Sequence, residues 1–240
     1  MNPHLIAIVP AAGVGARAAG PEGLPKQYRL LGGVPMLRRS VLALLANPQI
    51  AQVRVAVALG DPYVAQALDG LSGVVWRPCG GPTRSATVLA ALQDACLPAD
   101  AWVLVHDAAR PGLAPDDLAR LIDTCLQAGR GGLLARPVAD TVKRAAPEAP
   151  AQVCDTVARE HLWLAQTPQM FRAAELQAAL QACAGLGYIT DEATAIEHQG
   201  QQPLLVPGNR LNDKLTWPED FDWFESCLRG QAGTQASEIP

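Results

Sequence analysis

The residues with the most chemistry to offer lie in Val9-Pro10-Ala11-Ala12-Gly13-Val14-Gly15-Ala16-Arg17, followed by Pro25-Lys26-Gln27-Tyr28. Small residues let the backbone bend tightly and approach a ligand, leaving N–H groups free to hold phosphate oxygens. Arg17 and Lys26 add two cations close behind. Amides and cations gathered in one loop call for a guest with several negative charges, such as a nucleoside triphosphate. An ordinary strand-to-helix turn would account for Gly13 and Gly15, but not for Arg17 and Lys26. The loop is not a Walker A sequence, because G-K-[ST] is missing. It also departs from the dinucleotide fingerprint. Ala18 at the third glycine position is tolerated there, but the second expected strand ends Leu59-Gly60-Asp61 and runs into a helix, without the acidic residue that holds a ribose.

Three further clusters carry polar chemistry. His106-Asp107-Ala108-Ala109-Arg110-Pro111 follows an apolar run, and a carboxylate at such a strand end can hold Mg²⁺ or a substrate hydroxyl. The plainer alternative is an Asp107–Arg110 surface pair or a helix cap. Cys79-Gly80-Gly81-Pro82-Thr83-Arg84-Ser85-Ala86-Thr87 places two glycines before a helix, exposing amides, and its hydroxyls at Thr83, Ser85 and Thr87 could read a base edge; Thr83 as a simple N-cap is equally compatible. The late set comprises Thr167-Pro168-Gln169, Thr190-Asp191-Glu192 and Asn212-Asp213-Lys214-Leu215-Thr216. Taken singly, Thr190 or Asp191 reads as a helix cap and Lys214 as a surface lysine.

The elements that must position these groups alternate strand and helix. Strands are expected at Leu5–Val9, Val53–Leu59, Val74–Trp76, Trp102–Val105 and Leu133–Val138. Helices are expected at Pro35–Leu45, Asp61–Leu68 with Asp61 as cap, Thr83–Cys96 and Pro115–Ala128, then at Arg172–Ala184, Asp191–His198 and Glu219–Leu228. This order predicts an α/β fold: a Rossmann-like, mainly parallel sheet with helices on both faces. Ligands on such sheets sit outside the carboxyl ends of the strands, so the loops after Val9 and Val105 fall on one rim. The rhythm breaks at 137–160, where Asp140–Arg144 and Gln152–Val157 read as two extended strands joined by a turn over Ala145–Ala151. A lone hairpin is marginal and needs a partner surface, plausibly a second subunit.

Composition bounds the function. The 240 residues, 49% hydrophobic, suit one sizeable domain, here 1–230, followed by a small, polar tail at 231–240 expected to be disordered. A formal net charge of −4 argues against a general nucleic-acid binder. No apolar run approaches the roughly 20 residues of a membrane span, and no signal peptide is evident, so a cytoplasmic protein is expected. The six cysteines and four histidines are scattered without metal-ligand or disulfide spacing.

Taken together and in order, P-A-A-G-x-G-x-R, P-K-Q-Y, G-G-x-x-R, H-D-A-A-R-P, D-T-V-K-R, T-P-Q, T-D-E-A and N-x-K-x-T-x-P-E-D resemble the 2-C-methyl-D-erythritol 4-phosphate cytidylyltransferases of non-mevalonate isoprenoid synthesis. The resemblance runs from about Ile6 to Phe221. It implies a sheet of the nucleotide-diphospho-sugar transferase type, a homodimer clasped by a protruding β-arm at about 137–160, and CTP and methylerythritol phosphate as substrates. It also implies Mg²⁺ held mainly through the CTP phosphates, with Asp107 the candidate protein ligand. Arg17 and Lys26 match the cations that stabilise the transition state and the leaving pyrophosphate, and Lys214 the third cation, near the attacking phosphate. Pro10, Ala11, Ala12, Gly13, Gly15, Gly81, Arg84 and Thr87 match the CTP pocket. Asp107, Arg110, Thr141, Arg159, Thr167 and Thr190 match the side that binds methylerythritol phosphate, with Thr141 and Arg159 supplied from the arm, across the dimer.

The sequence departs from the family pattern at a few positions. Thr87 replaces the usual Ser, Ala16 a common basic residue, and Asp213 an apolar one, while Leu211 stands where an acidic residue often does. The stretch between Arg17 and Lys26 is long and glycine-rich and reads as a mobile lid. The chain stops near 240, so no fused second enzyme is expected. Rival readings are a cytidylyltransferase for another polyol phosphate, such as ribitol 5-phosphate, a nucleotide-sensing protein without catalysis, and a dinucleotide oxidoreductase.

Overall fold

The apolar run that opens the chain is a strand buried on both faces, as a central parallel strand must be. The computed structural model describes residues 5–13 and 23–236; Gly15, Arg17 and most of the expected lid lie outside them. In strand β1 (Leu5–Pro10), Leu5, Ala7 and Val9 enter one core with Leu37, Val41 and Leu44 of helix α1 (Met36–Leu45) and Leu118, Leu121 and Ile122 of helix α4 (Pro115–Ala128). Ile8 points the other way. It joins Val88 and Leu92 of helix α3 (Arg84–Ala95), Leu176 and Leu180 of helix α5 (Ala173–Ala182) and Ile196 of helix α6 (Glu192–His198). The period-2 alternation of one strand thus divides the helices between two faces.

Seven strands form the main sheet: β1, β4 (Ile50–Ala56), β5 (Val74–Arg77), β6 (Trp102–Val105), β7 (Gly132–Pro137), β10 (Trp163–Arg172) and β11 (Leu204–Pro207), in the order β11-β7-β10-β6-β1-β4-β5. All run parallel except β10, which is antiparallel to both β6 and β7. Neither β10 nor β11 was expected, and the helix expected from Arg172 starts one residue later and ends at Ala182. Gln166-Thr167-Pro168-Gln169 hides β10, since three polar side chains and a proline break any strand pattern. The pairing with β7 slips between Ala165 and Gln169, where Pro168 has no N–H to donate.

Smaller elements also shift. Helix α2 is a single turn (Val64–Ala67) with Tyr63, not the expected Asp61, at its N-cap; Asp61 lies in the turn before it and accepts from the N–H groups of Tyr63 and Val64. The hairpin β2–β3 (Leu30–Leu31 and Val34–Pro35) leads into α1 and packs Leu31 against Phe221 and Phe224 of helix α7 (Pro218–Ala236). That last helix continues past the expected Leu228 to Ala236, through part of the segment expected to be disordered; no proline stands between Leu228 and Ala236 to stop it.

The arm is a separate two-stranded ribbon, β8 (Val142–Ala146) and β9 (Ala149–Val157), longer than expected and closed by Pro147-Glu148. Most of the Ala145–Ala151 turn segment is therefore strand. No described helix is long and apolar enough to cross a membrane.

Because β1 pairs with β4 and β6, the loops leaving their carboxyl ends converge. Ala11 donates to the carbonyl of Ala56, Gly80 to Val57 and His106 to Ile8, all at 2.7–2.9 Å. The reversed β10 brings its amino-terminal half to the same rim.

Candidate active site

These loops enclose a cavity of about 610 Å³. Pro10, Ala11, Ala12 and Gly13 form one wall, and Gly81, Arg84 and Thr87 another, while Lys26, Asp107 and Lys214 face the space between. The first wall is held by Gln27, whose amide donates to the carbonyls of Ala11 and Gly13 at 2.9 Å each. These two bonds fix both carbonyls on the Gln27 side chain. The second wall needs glycine: a Cβ on Gly80 would collide with Ala12 and sit 2.8 Å from the Val57 carbonyl oxygen. Thr83 caps α3, accepting from the Ala86 N–H. The hydroxyl of Thr87 is buried and engaged within the loop, accepting from the Gly81 N–H at 3.1 Å and donating to the Thr83 carbonyl at 2.9 Å. It shapes the pocket wall rather than offering a free donor to a base.

Asp107 is the electrostatic hub. Its Oδ1 accepts from Arg84 Nε at 2.7 Å and its Oδ2 from Lys214 Nζ at 2.8 Å, with Arg110 Nε 3.8 Å away. Burial alone would raise this carboxyl, but the charges of Arg84, Lys214 and Arg110 outweigh it and hold the group well below the usual carboxylate range. Asp107 is thus an anion among cations, not the surface pair that its spacing to Arg110 allowed. Lys26 Nζ donates to the carbonyl of Leu215 at 3.0 Å, next to Lys214 in sequence. Lysines 188 positions apart therefore meet at one spot.

Arg110 and Thr167 stand behind this surface. Arg110 is buried and donates to the carbonyls of Asn212 (2.8 Å) and Ala165 (3.2 Å). Thr167 Oγ1 accepts from the Asp107 N–H at 2.9 Å and lies 3.0 Å from His106 Nδ1; because the Arg110 carbonyl at the far side of the ring can only accept, Nδ1 of the neutral ring is the acceptor and Thr167 donates to it. The other ring nitrogen, Nε2, then carries the hydrogen that binds the Arg110 carbonyl at 3.0 Å. Burial lowers the His106 pKa to about 4, so the ring is neutral near pH 7. These residues support the loop that carries Asp107.

Asp213 faces away from the cavity. Arg136 grips it with Nε at 3.2 Å and Nη2 at 3.0 Å, and Gln166 Nε2 adds a bond at 2.8 Å. Thr141, Arg159 and Thr190 are exposed and do not line the cavity of this chain: Arg159 donates to the Ala139 carbonyl on its own arm, and Thr190 lies beside Thr194. Asp191, not Thr190, caps α6. Sequence reasoning passed over Arg136, Gln166 and the roles of Gln27 and Glu192. Only the motifs containing Gln27 and Glu192 gave any signal.

Small-residue loops, two lysines and a buried aspartate at the carboxyl rim of a largely parallel sheet define a nucleotidyltransferase-type α/β protein. Residues 5–230 match the family model "2-C-methyl-D-erythritol 4-phosphate cytidylyltransferase". The chain belongs to that family. It is 62% identical to the protein of that name from Bordetella petrii, over 95% of this chain and 100% of the relative, and 58% identical to that of Bordetella pertussis over the same shares. A crystal structure of 4-diphosphocytidyl-2C-methyl-D-erythritol synthase superposes with a TM-score of 0.82 at 36% identity, covering 95% of this chain and 99% of the other. The Thermus thermophilus cytidylyltransferase structure gives 0.76 at 32% identity, covering 94% and 99%.

Proposed function

We propose that this chain transfers CMP from CTP to 2-C-methyl-D-erythritol 4-phosphate, releasing pyrophosphate and forming 4-diphosphocytidyl-2-C-methyl-D-erythritol. The observation that carries this reading is the convergence of Lys26, Lys214 and Asp107 on one cavity walled by small-residue loops. Attack of one phosphate on another brings two anions together, so positioning and charge neutralisation matter more than a general base. The nucleophile is already ionised. Lys26, with Arg17 from outside the described residues, is assigned to the triphosphate and the leaving pyrophosphate. Lys214 is assigned to the attacking phosphate, with Asp107 fixing its ammonium in place. Ala11, Ala12, Gly13 and Gly81 offer a narrow slot for cytosine.

Mg²⁺ suits this site through the substrate. Among the described residues, Asp107 is the only carboxylate lining the cavity, and each of its oxygens has a lone pair beyond the one used by Arg84 or Lys214. One carboxylate beside several phosphates is an ordinary Mg²⁺ environment. When bound, the ion would neutralise charge on the triphosphate.

Thr141 and Arg159 are assigned to the polyol phosphate of a partner subunit's site, with the β8–β9 arm as the dimer clasp and the chain to about residue 230 as one catalytic unit. Their exposure and distance from this chain's own cavity support a site completed across a homodimer. Six free cysteines suit a reducing compartment such as the cytoplasm. Pyrophosphate release from CTP in the presence of methylerythritol phosphate tests the reading. A preference for ribitol 5-phosphate, or CTP binding without release, would overturn it.

A further inference from the structure

Glu192 opens α6, is 0% exposed, and lies outside the cavity lining. Both of its oxygens accept from one guanidinium: Arg84 Nη1 reaches Oε1 at 2.7 Å and Nη2 reaches Oε2 at 2.9 Å. Burial raises the Glu192 carboxyl above its ordinary value, while the charge of Arg84 and these two bonds favour the carboxylate. The remaining donor of Arg84, Nε, binds Asp107 Oδ1 at 2.7 Å, and Asp107 Oδ2 binds Lys214 at 2.8 Å. Four side chains thus connect the back of α6 to the ammonium at the cavity.

The geometry of this chain is stiff. A guanidinium is a planar fork, so fixing both Nη atoms on Glu192 also fixes the direction of Nε. Glu192 is itself anchored to the sheet. Its neighbour Asp191 caps α6 and accepts from Gln169 Nε2 at 2.8 Å, while Gln169 Oε1 accepts from the Ala193 N–H at 2.8 Å. Arg84 lines the cavity, yet all three of its nitrogens are turned onto carboxylates. It is placed to act as a strut rather than as a phosphate ligand.

We propose that Glu192 is a positioning residue for CMP transfer: by locking Arg84 it holds Asp107 in the orientation that seats Lys214. The proposal rests on the function assigned above. A buried ion pair that merely stabilised the fold would alter melting temperature and leave turnover per folded molecule unchanged. A strut alters the kinetics selectively.

The test uses Glu192→Gln, which keeps the shape and removes the charge, and Arg84→Lys, which keeps a charge and removes the fork. In each, kcat of the folded enzyme should fall on the order of 10- to 100-fold, and KM for methylerythritol phosphate should rise. In Glu192→Gln, whose side chain lies outside the cavity lining, CTP affinity measured by calorimetry should change less than kcat. The double variant should be no worse than the poorer single one, because a chain broken twice is broken once. Normal kcat in folded Glu192→Gln, or fully additive losses, would overturn the proposal. If Glu192→Gln does not fold, normal kcat in Arg84→Lys overturns it alone. An inactive wild type would instead overturn the functional reading beneath it.

Discussion

Lys26 and Lys214 come from opposite ends of the chain and meet through the Leu215 carbonyl and the Asp107 carboxylate. Truncating either removes a cation assigned to the transition state and leaves a partly open surface position. Lys26→Ala and Lys214→Ala should each lower kcat/KM by about 10²- to 10³-fold with melting temperature almost unchanged; near-normal turnover in either would contradict the assignment. His106 makes a different prediction. Its folded pKa of about 4 lies below the ordinary value of 6.5, so the unfolded chain binds the extra proton first. Its contribution is full above about pH 6.5 and is lost as pH falls toward 4, by up to about 3 kcal/mol. Equilibrium unfolding against pH should show that slope, and His106→Asn should flatten it. Asp107, Lys26 and Lys214, which line one cavity, were legible as candidates because each sits in a short motif. Glu192 and Arg136 were not, because their partners stand 108 and 77 positions away and only the fold joins them.

At the scale of elements, the segment carrying Lys214 is set by what packs behind it. Arg136 at the end of β7 and Gln166 in β10 clamp Asp213, and Arg110 and Asn212 tie the same segment to the rim. Gly112 sits directly beneath: a Cβ there would strike the Leu211 carbonyl and lie 2.9 Å from the Phe224 ring. Backbone cannot yield as a flexible side chain can. Gly112→Ala should therefore lower both stability and kcat, whereas the surface change Gly187→Ala, with open space around its Cβ, should do neither. Unfolding midpoints and turnover of the two variants check this. The parallel elements were readable because a buried strand is a simple apolar run and α3 and α4 carry helical periodicity. β10 was not, since its polar middle, Gln166 to Gln169, is buried by partners distant in sequence. Local pattern cannot reveal a side chain that is inside because it is hydrogen-bonded.

At the scale of the molecule, the β8–β9 ribbon stands apart from the main sheet, and apolar side chains remain uncovered near its base and along it, with Val153 62% and Leu164 50% exposed. Such a ribbon gains little stability alone. If it clasps a partner, Val153→Asp combined with Leu164→Asp should shift sedimentation from dimer toward monomer and reduce activity together; a wild type that sediments as a monomer would contradict the clasp. The most direct measurement is pyrophosphate release from CTP and Mg²⁺, with methylerythritol phosphate and ribitol 5-phosphate compared side by side. The account predicts rapid release with the former and little with the latter. Equal or greater turnover with ribitol 5-phosphate, or none with either, would contradict it.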